Sequence, residues 1–138
     1  MSESLNVEQV LLEHGKWVST VVGNSMYPML KERQDVIVVE PKPEKINKYD
    51  VVLIRKEGKL VLHRITKVLK KGYIFVGDNA FYRERIYYGQ IIGILTQFYR
   101  GDKLILVTDK KYKRYAFFRV HTYLIRKFFY KVKWFFKR

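Results

Sequence analysis

The chain has no cysteine, three prolines and three histidines among 138 residues. Without thiols there is no disulfide framework, no thiolate metal site and no cysteine nucleophile, and redox chemistry leaves the compartment open. No apolar run approaches the roughly 18 to 20 residues of a membrane-spanning helix. The first residues, Met1-Ser2-Glu3-Ser4-Leu5-Asn6, have neither the basic nor the apolar region of a secretory signal. A cytoplasmic protein is expected, with no metal or cofactor. Acid is missing from one region in particular. Residues 1–109 carry 17 Lys/Arg against 13 Asp/Glu, whereas residues 110–138 carry 11 Lys/Arg and no acid, so the tail holds most of the net charge of +15.

What is present suits one modest core. A chain of this length with 48% hydrophobic residues is most simply a single domain over 1–109, followed by a distinct basic segment over 110–138. Val7, Val10 and Leu11 recur at helical spacing between Asn6, a capping residue, and Gly15, a residue that closes helices. Strands are expected over 17–22, 35–40, 50–55, 60–68, 73–76, 90–98 and 103–107, each rich in β-branched or aromatic residues and bounded by turn formers. Residues 80–88 read as irregular. So many short strands predict a mainly β fold, a curled or barrel-like sheet with a short N-terminal helix.

From about Lys111 the period changes. Leu124, Ile125, Phe128, Phe129, Val132 and Phe135 share one helical arc with Phe117, opposite Arg119, Arg126 and Lys133, which predicts one basic amphipathic C-terminal helix. Half of the 22 aromatic residues fall between Tyr112 and Phe136. Two uses are open: peripheral contact of residues 111–138 with the inner face of an anionic membrane, or packing on the β domain or a partner. Nucleic acid is disfavoured, because the apolar arc is too continuous for a surface that tracks phosphates.

Chemistry concentrates at Gly23-Asn24-Ser25-Met26-Tyr27-Pro28, where a small hydroxyl sits on a turn between a permissive glycine and a constraining proline. As a nucleophile Ser25 needs a base. Of the histidines, His14 reads as surface or packing and His121 lies in the basic helix. His63 sits in a strand, where alternation places it with Val61, Ile65 and Lys67, opposite Leu60, Leu62, Arg64 and Thr66. An imidazole there suits general-base work near neutrality, with Asp78 and Glu84 as the acids available to orient it. Spacing alone leaves two readings open, a Ser-His-acid site or a half-exposed strand histidine beside a capping aspartate.

The segments Gly23-Asn24-Ser25-Met26-Tyr27-Pro28, Asp50-Val51-Val52, His63-Arg64-Ile65 and Gly77-Asp78-Asn79, in this order over roughly residues 17–97, resemble the sequence boxes of the type I signal peptidases and the related self-cleaving SOS-repressor peptidases. The resemblance implies a mainly β catalytic domain whose serine attacks a peptide carbonyl. Histidine before the arginine, in place of a lysine base, resembles the branch typified by the endoplasmic-reticulum signal peptidase. By that likeness Ser25 and His63 are catalytic and Glu84, ahead of Arg85, is the favoured acid, with Asp78 the other candidate. The Ser25 N–H would hold the oxyanion, helped by the Asn24 or Met26 region. The usual membrane anchor and helix-turn-helix domain are missing from the sequence, so the implied partner is a leader or small precursor peptide. A non-catalytic β module that binds through its basic tail is the alternative.

Overall fold

The computed structural model describes residues 6–137. Helix α1 (Val7–His14) leads into strands β1 (Trp17–Thr20), β2 (Val36–Pro41), β3 (Val51–Lys56), β4 (Lys59–Leu69), β5 (Gly72–Val76), β6 (Glu84–Ile86), β7 (Ile91–Arg100) and β8 (Lys103–Leu106), followed by helices α2 (Lys110–His121) and α3 (Tyr123–Phe136). The caps of α1 are those its sequence announces. The Asn6 side chain accepts the Gln9 N–H at 3.0 Å, and Gly15, in the left-handed region, donates its N–H to the Leu11 carbonyl at 2.9 Å.

All eight strands join one antiparallel sheet in the order β1-β2-β7-β3-β4-β5-β6, with β8 pairing to the far half of β7. The fold is mainly β, as expected, but the sheet stays open, with β1 and β6 at its edges. Bulges interrupt the ladders at Val38/Val39, Leu53/Ile54 and Ile65/Lys67. Bulges bend a strand and increase its twist, so the sheet curves without closing.

Burial on both faces explains the apolar run in β3. Val51 and Leu53 enter a core that also holds Val7 and Leu11 of α1 and Met26, Met29 and Leu30 after β1. Val52 and Ile54 point the other way, into a smaller core with Ile65, Phe75 and Ile86. A strand with no solvated face has no polar alternation to show.

Two expectations need correction. Residues 80–88 are not wholly irregular: Glu84, Arg85 and Ile86 pair with Phe75, Ile74 and Tyr73. Three residues, two of them charged, are too short and too polar for alternation to reveal, and it is the β5 ladder that makes them a strand. The tail is two helices, not one. At Thr122 the hydroxyl donates back to the Phe118 carbonyl at 2.6 Å, and the backbone leaves helical geometry. Such back-bonding competes with the helix and bends it. Tyr112 and Ala116 of α2 join the larger core, while most of α3 stays exposed.

Gly93 marks the tightest crossing in the sheet. A Cβ there would lie 2.6 Å from Val39 Cγ1 and 2.7 Å from the Glu40 carbonyl oxygen. Gly93→Ala is expected to destabilise the fold by about 1–3 kcal/mol, read as a lower urea midpoint at unchanged slope.

Candidate active site

Ser25 lies on a loop of turns between β1 and β2, in a stretch that the core pins from one side. Met26, Met29 and Leu30 are buried, whereas Ser25 is half-buried and Asn24 exposed. Gly23 has φ of 85°, where a side chain would be strained, and its N–H donates to the Glu32 carboxylate. Tyr27 N–H closes on the Asn24 carbonyl at 3.1 Å and Leu30 N–H on the Met26 carbonyl at 3.0 Å.

The Gly77-Asp78-Asn79 segment locks onto this turn from fifty residues away. Asn79 donates its N–H to the Ser25 carbonyl at 2.8 Å and its Nδ2 to the Asn24 carbonyl at 3.2 Å, and the Asp78 N–H points at Met26 Sδ at 3.4 Å. Gly77 is the closest approach. A Cβ on it would lie 2.7 Å from the Ser25 carbonyl oxygen and 3.0 Å from His63 Nε2, so the serine backbone and the imidazole flank one point that only glycine leaves empty.

His63 is delivered by β4, opposite Val52 of β3. Its ring packs on Phe75 at 4.7 Å between centroids. Burial lowers its pKa below the ordinary imidazole value, against the opposing pull of Glu84 and then Asp78. Ser25, His63 and Glu84 line one cleft of about 420 Å³, together with Lys56 and an apolar wall that includes Leu30 and Leu60. Glu84 opens β6 opposite Phe75, and its carboxylate pairs with Lys56. Among the described residues neither Glu84 nor Asp78 hydrogen-bonds the His63 ring.

Asp78 faces elsewhere. Its carboxylate accepts Arg64 Nε and Nη2, each at 2.8 Å and buried, and the half-buried Tyr115 hydroxyl at 2.9 Å. Arg64 also donates to the Tyr49 carbonyl at 2.9 Å and the Tyr112 hydroxyl at 3.2 Å. Burial alone would lower the Arg64 pKa, but Asp78 and its hydrogen bonds reverse this and hold it above the ordinary guanidinium value. The Tyr115 hydroxyl is pushed up, by burial and by the Asp78 charge. Of the other histidines, His14 is exposed and His121 bonds the Tyr49 hydroxyl at 2.7 Å, so neither belongs to the cleft.

Sequence reasoning missed the depth of Arg64 and the parts played by Tyr112, Tyr115 and Lys56. A signal for the first was present: Arg64 shares a strand face with Leu60 and Leu62, and a charged residue on an apolar face calls for a buried partner. Nothing comparable marked the tyrosines, which come from a helix remote in sequence.

The family model described as Peptidase S24-like matches residues 2–96, and the chain belongs to this family of serine peptidase type. The matched segment contains Ser25, His63, Asp78 and Glu84 and ends within β7, so α2 and α3 lie beyond it. No curated protein matches the chain.

Removing either partner of the Arg64–Asp78 pair strands a buried charge. Asp78→Ala and Arg64→Ala are each expected to cost about 3–5 kcal/mol, measured by chemical unfolding. A loss under 1 kcal/mol would show that water replaces the missing partner.

Proposed function

We propose that the protein is a serine endopeptidase in which Ser25 is the nucleophile and His63 its general base. The observation that carries this reading is the meeting of the Ser25 backbone and His63 Nε2 across Gly77, with both Ser25 and His63 lining one cleft. In that reading Nε2 takes the Ser25 hydroxyl proton as Oγ bonds to the substrate carbonyl carbon. The oxyanion is received by the Ser25 N–H, which has no acceptor among the described residues, within the Asn24 to Met26 turn. The imidazolium then protonates the departing amine, and water releases the acyl group by the reverse sequence.

The two acids take different parts. Glu84 shares the cleft with His63 and, of the acids around the ring, pulls its pKa up most, so it stabilises the imidazolium through space while Lys56 holds it. Asp78, bound to Arg64 and Tyr115, fixes the loop that carries Gly77. Substrate is a leader-type or small precursor peptide in extended form. Edge strand β1 lines the cleft and, among the described residues, pairs only with β2, leaving its other edge for a peptide to add as a strand. The competing reading, a non-catalytic binding module, draws on the exposed aromatic side chains of α3.

A fluorophosphonate probe is expected to label Ser25 in the wild-type chain, not at all in Ser25→Ala, and about 10²–10⁴-fold more slowly in His63→Ala. Absence of labelling in a folded wild-type chain would favour the binding module. The lowered His63 pKa means that the neutral, proton-accepting ring persists to more acidic pH than for a free imidazole. The labelling rate should therefore rise with pH along a limb centred below about 6.5 and level off before neutrality. A midpoint above that value would remove His63 as a desolvated base.

A further inference from the structure

Among the described residues, helix α3 is held to the domain through Tyr123, Arg126 and Tyr130. Tyr123 donates its hydroxyl to the Phe81 carbonyl at 2.8 Å, Tyr130 stacks on the Phe81 ring at 4.8 Å, and Arg126 Nη1 reaches the Asp78 carbonyl at 3.3 Å. The other side carries Leu124, Ile125, Phe128, Phe129, Phe135 and Phe136, each between 58% and 78% exposed. Six large apolar side chains at helical spacing on one exposed face form a surface that soluble monomers rarely leave uncovered.

We infer that this face seats on an anionic lipid surface, independently of the peptidase reading. Charge selects the occupant. From Lys110 onward the chain has 11 Lys/Arg and no acid, and Lys131 and Lys133 flank the apolar face. A second copy applied to the same face would bring two such basic segments together, whereas anionic headgroups complement them. The geometry is that of a helix lying in the interface. Fourteen residues span only about 21 Å, short of the roughly 30 Å hydrocarbon layer, and no described helix is long and apolar enough to cross a membrane. Aromatic and aliphatic side chains enter the boundary of headgroup and acyl chain while the flanking lysines meet phosphate. The segment gripped by α3, residues 77–83, begins at Gly77 and leads into Glu84 of the cleft, so the cleft and the lipid-facing helix are joined by one loop.

The test uses the full chain with vesicles of phosphatidylcholine alone or mixed with phosphatidylglycerol, read by co-sedimentation. Binding to the mixed vesicles that weakens with added salt is expected, with little to phosphatidylcholine alone. Phe128→Ser/Phe129→Ser should lower binding by about tenfold or more, and Lys131→Glu/Lys133→Glu likewise. All four side chains are exposed, so an unchanged thermal midpoint shows that the fold is intact. Ser25→Ala should bind as wild type, which keeps this outcome separate from the peptidase test. No vesicle binding, equal binding of either double variant and wild type, or a salt-insensitive dimer in place of vesicle binding would overturn the inference. So would capture by single-stranded nucleic acid while vesicles are refused.

Discussion

Arg64 and Asp78 meet in an interior that would reject either of them alone. Taking an ion out of water costs several kcal/mol even after relaxation, and the pair is tolerable only because every charged edge finds a partner. Two parallel bonds join guanidinium to carboxylate, and the Tyr49 carbonyl, Met29 Sδ and the hydroxyls of Tyr112 and Tyr115 surround the rest of the pair. Those partners come from β4, the loop after β5, the approach to β3, the stretch after β1, and α2. The pair therefore requires these segments to arrive together, and in two of them the neighbouring residue belongs to the site. His63 precedes Arg64 on β4, and Gly77 precedes Asp78.

That constraint also ties the helices to the cleft. Arg119 and Arg126 both donate to the Asp78 backbone carbonyl, at 3.0 and 3.3 Å. The loop bonded to the Ser25 carbonyl on one side is thus gripped by α2 and α3 on the other. Basic residues that look like a solvated tail by composition include two that are structural. Once these are set aside, the exposed apolar face of α3 is more clearly separate from the packing of the domain.

Legibility varied with the kind of signal. Seven strands were readable because β-branched runs bounded by turn residues carry their own evidence, and the caps of α1 were readable because Asn6 and Gly15 act within four residues of themselves. The eighth strand was not, since Glu84-Arg85-Ile86 becomes a strand only by lying beside β5. The division of the tail into two helices was not readable either, since it turns on one side-chain hydroxyl, that of Thr122, bonding back to a single carbonyl. Closure of the sheet was equally out of reach, because alternation within a strand is silent about which strands become edges.

For the site, the order of the boxes was visible along the chain, and with it the candidates Ser25, His63, Asp78 and Glu84. Amino-acid identity alone determined which groups could act as nucleophile and base, since hydroxyl and imidazole are fixed properties of residues. Composition also fixed the separation of charge between residues 1–109 and the tail. Only the tertiary structure decided that the two acids have different neighbours, Lys56 and the cleft for Glu84, Arg64 and Tyr115 for Asp78. The reason is physical: a carboxylate's role follows from the charges and hydrogens within a few ångströms of it, and here those come from segments 14 to 37 residues away.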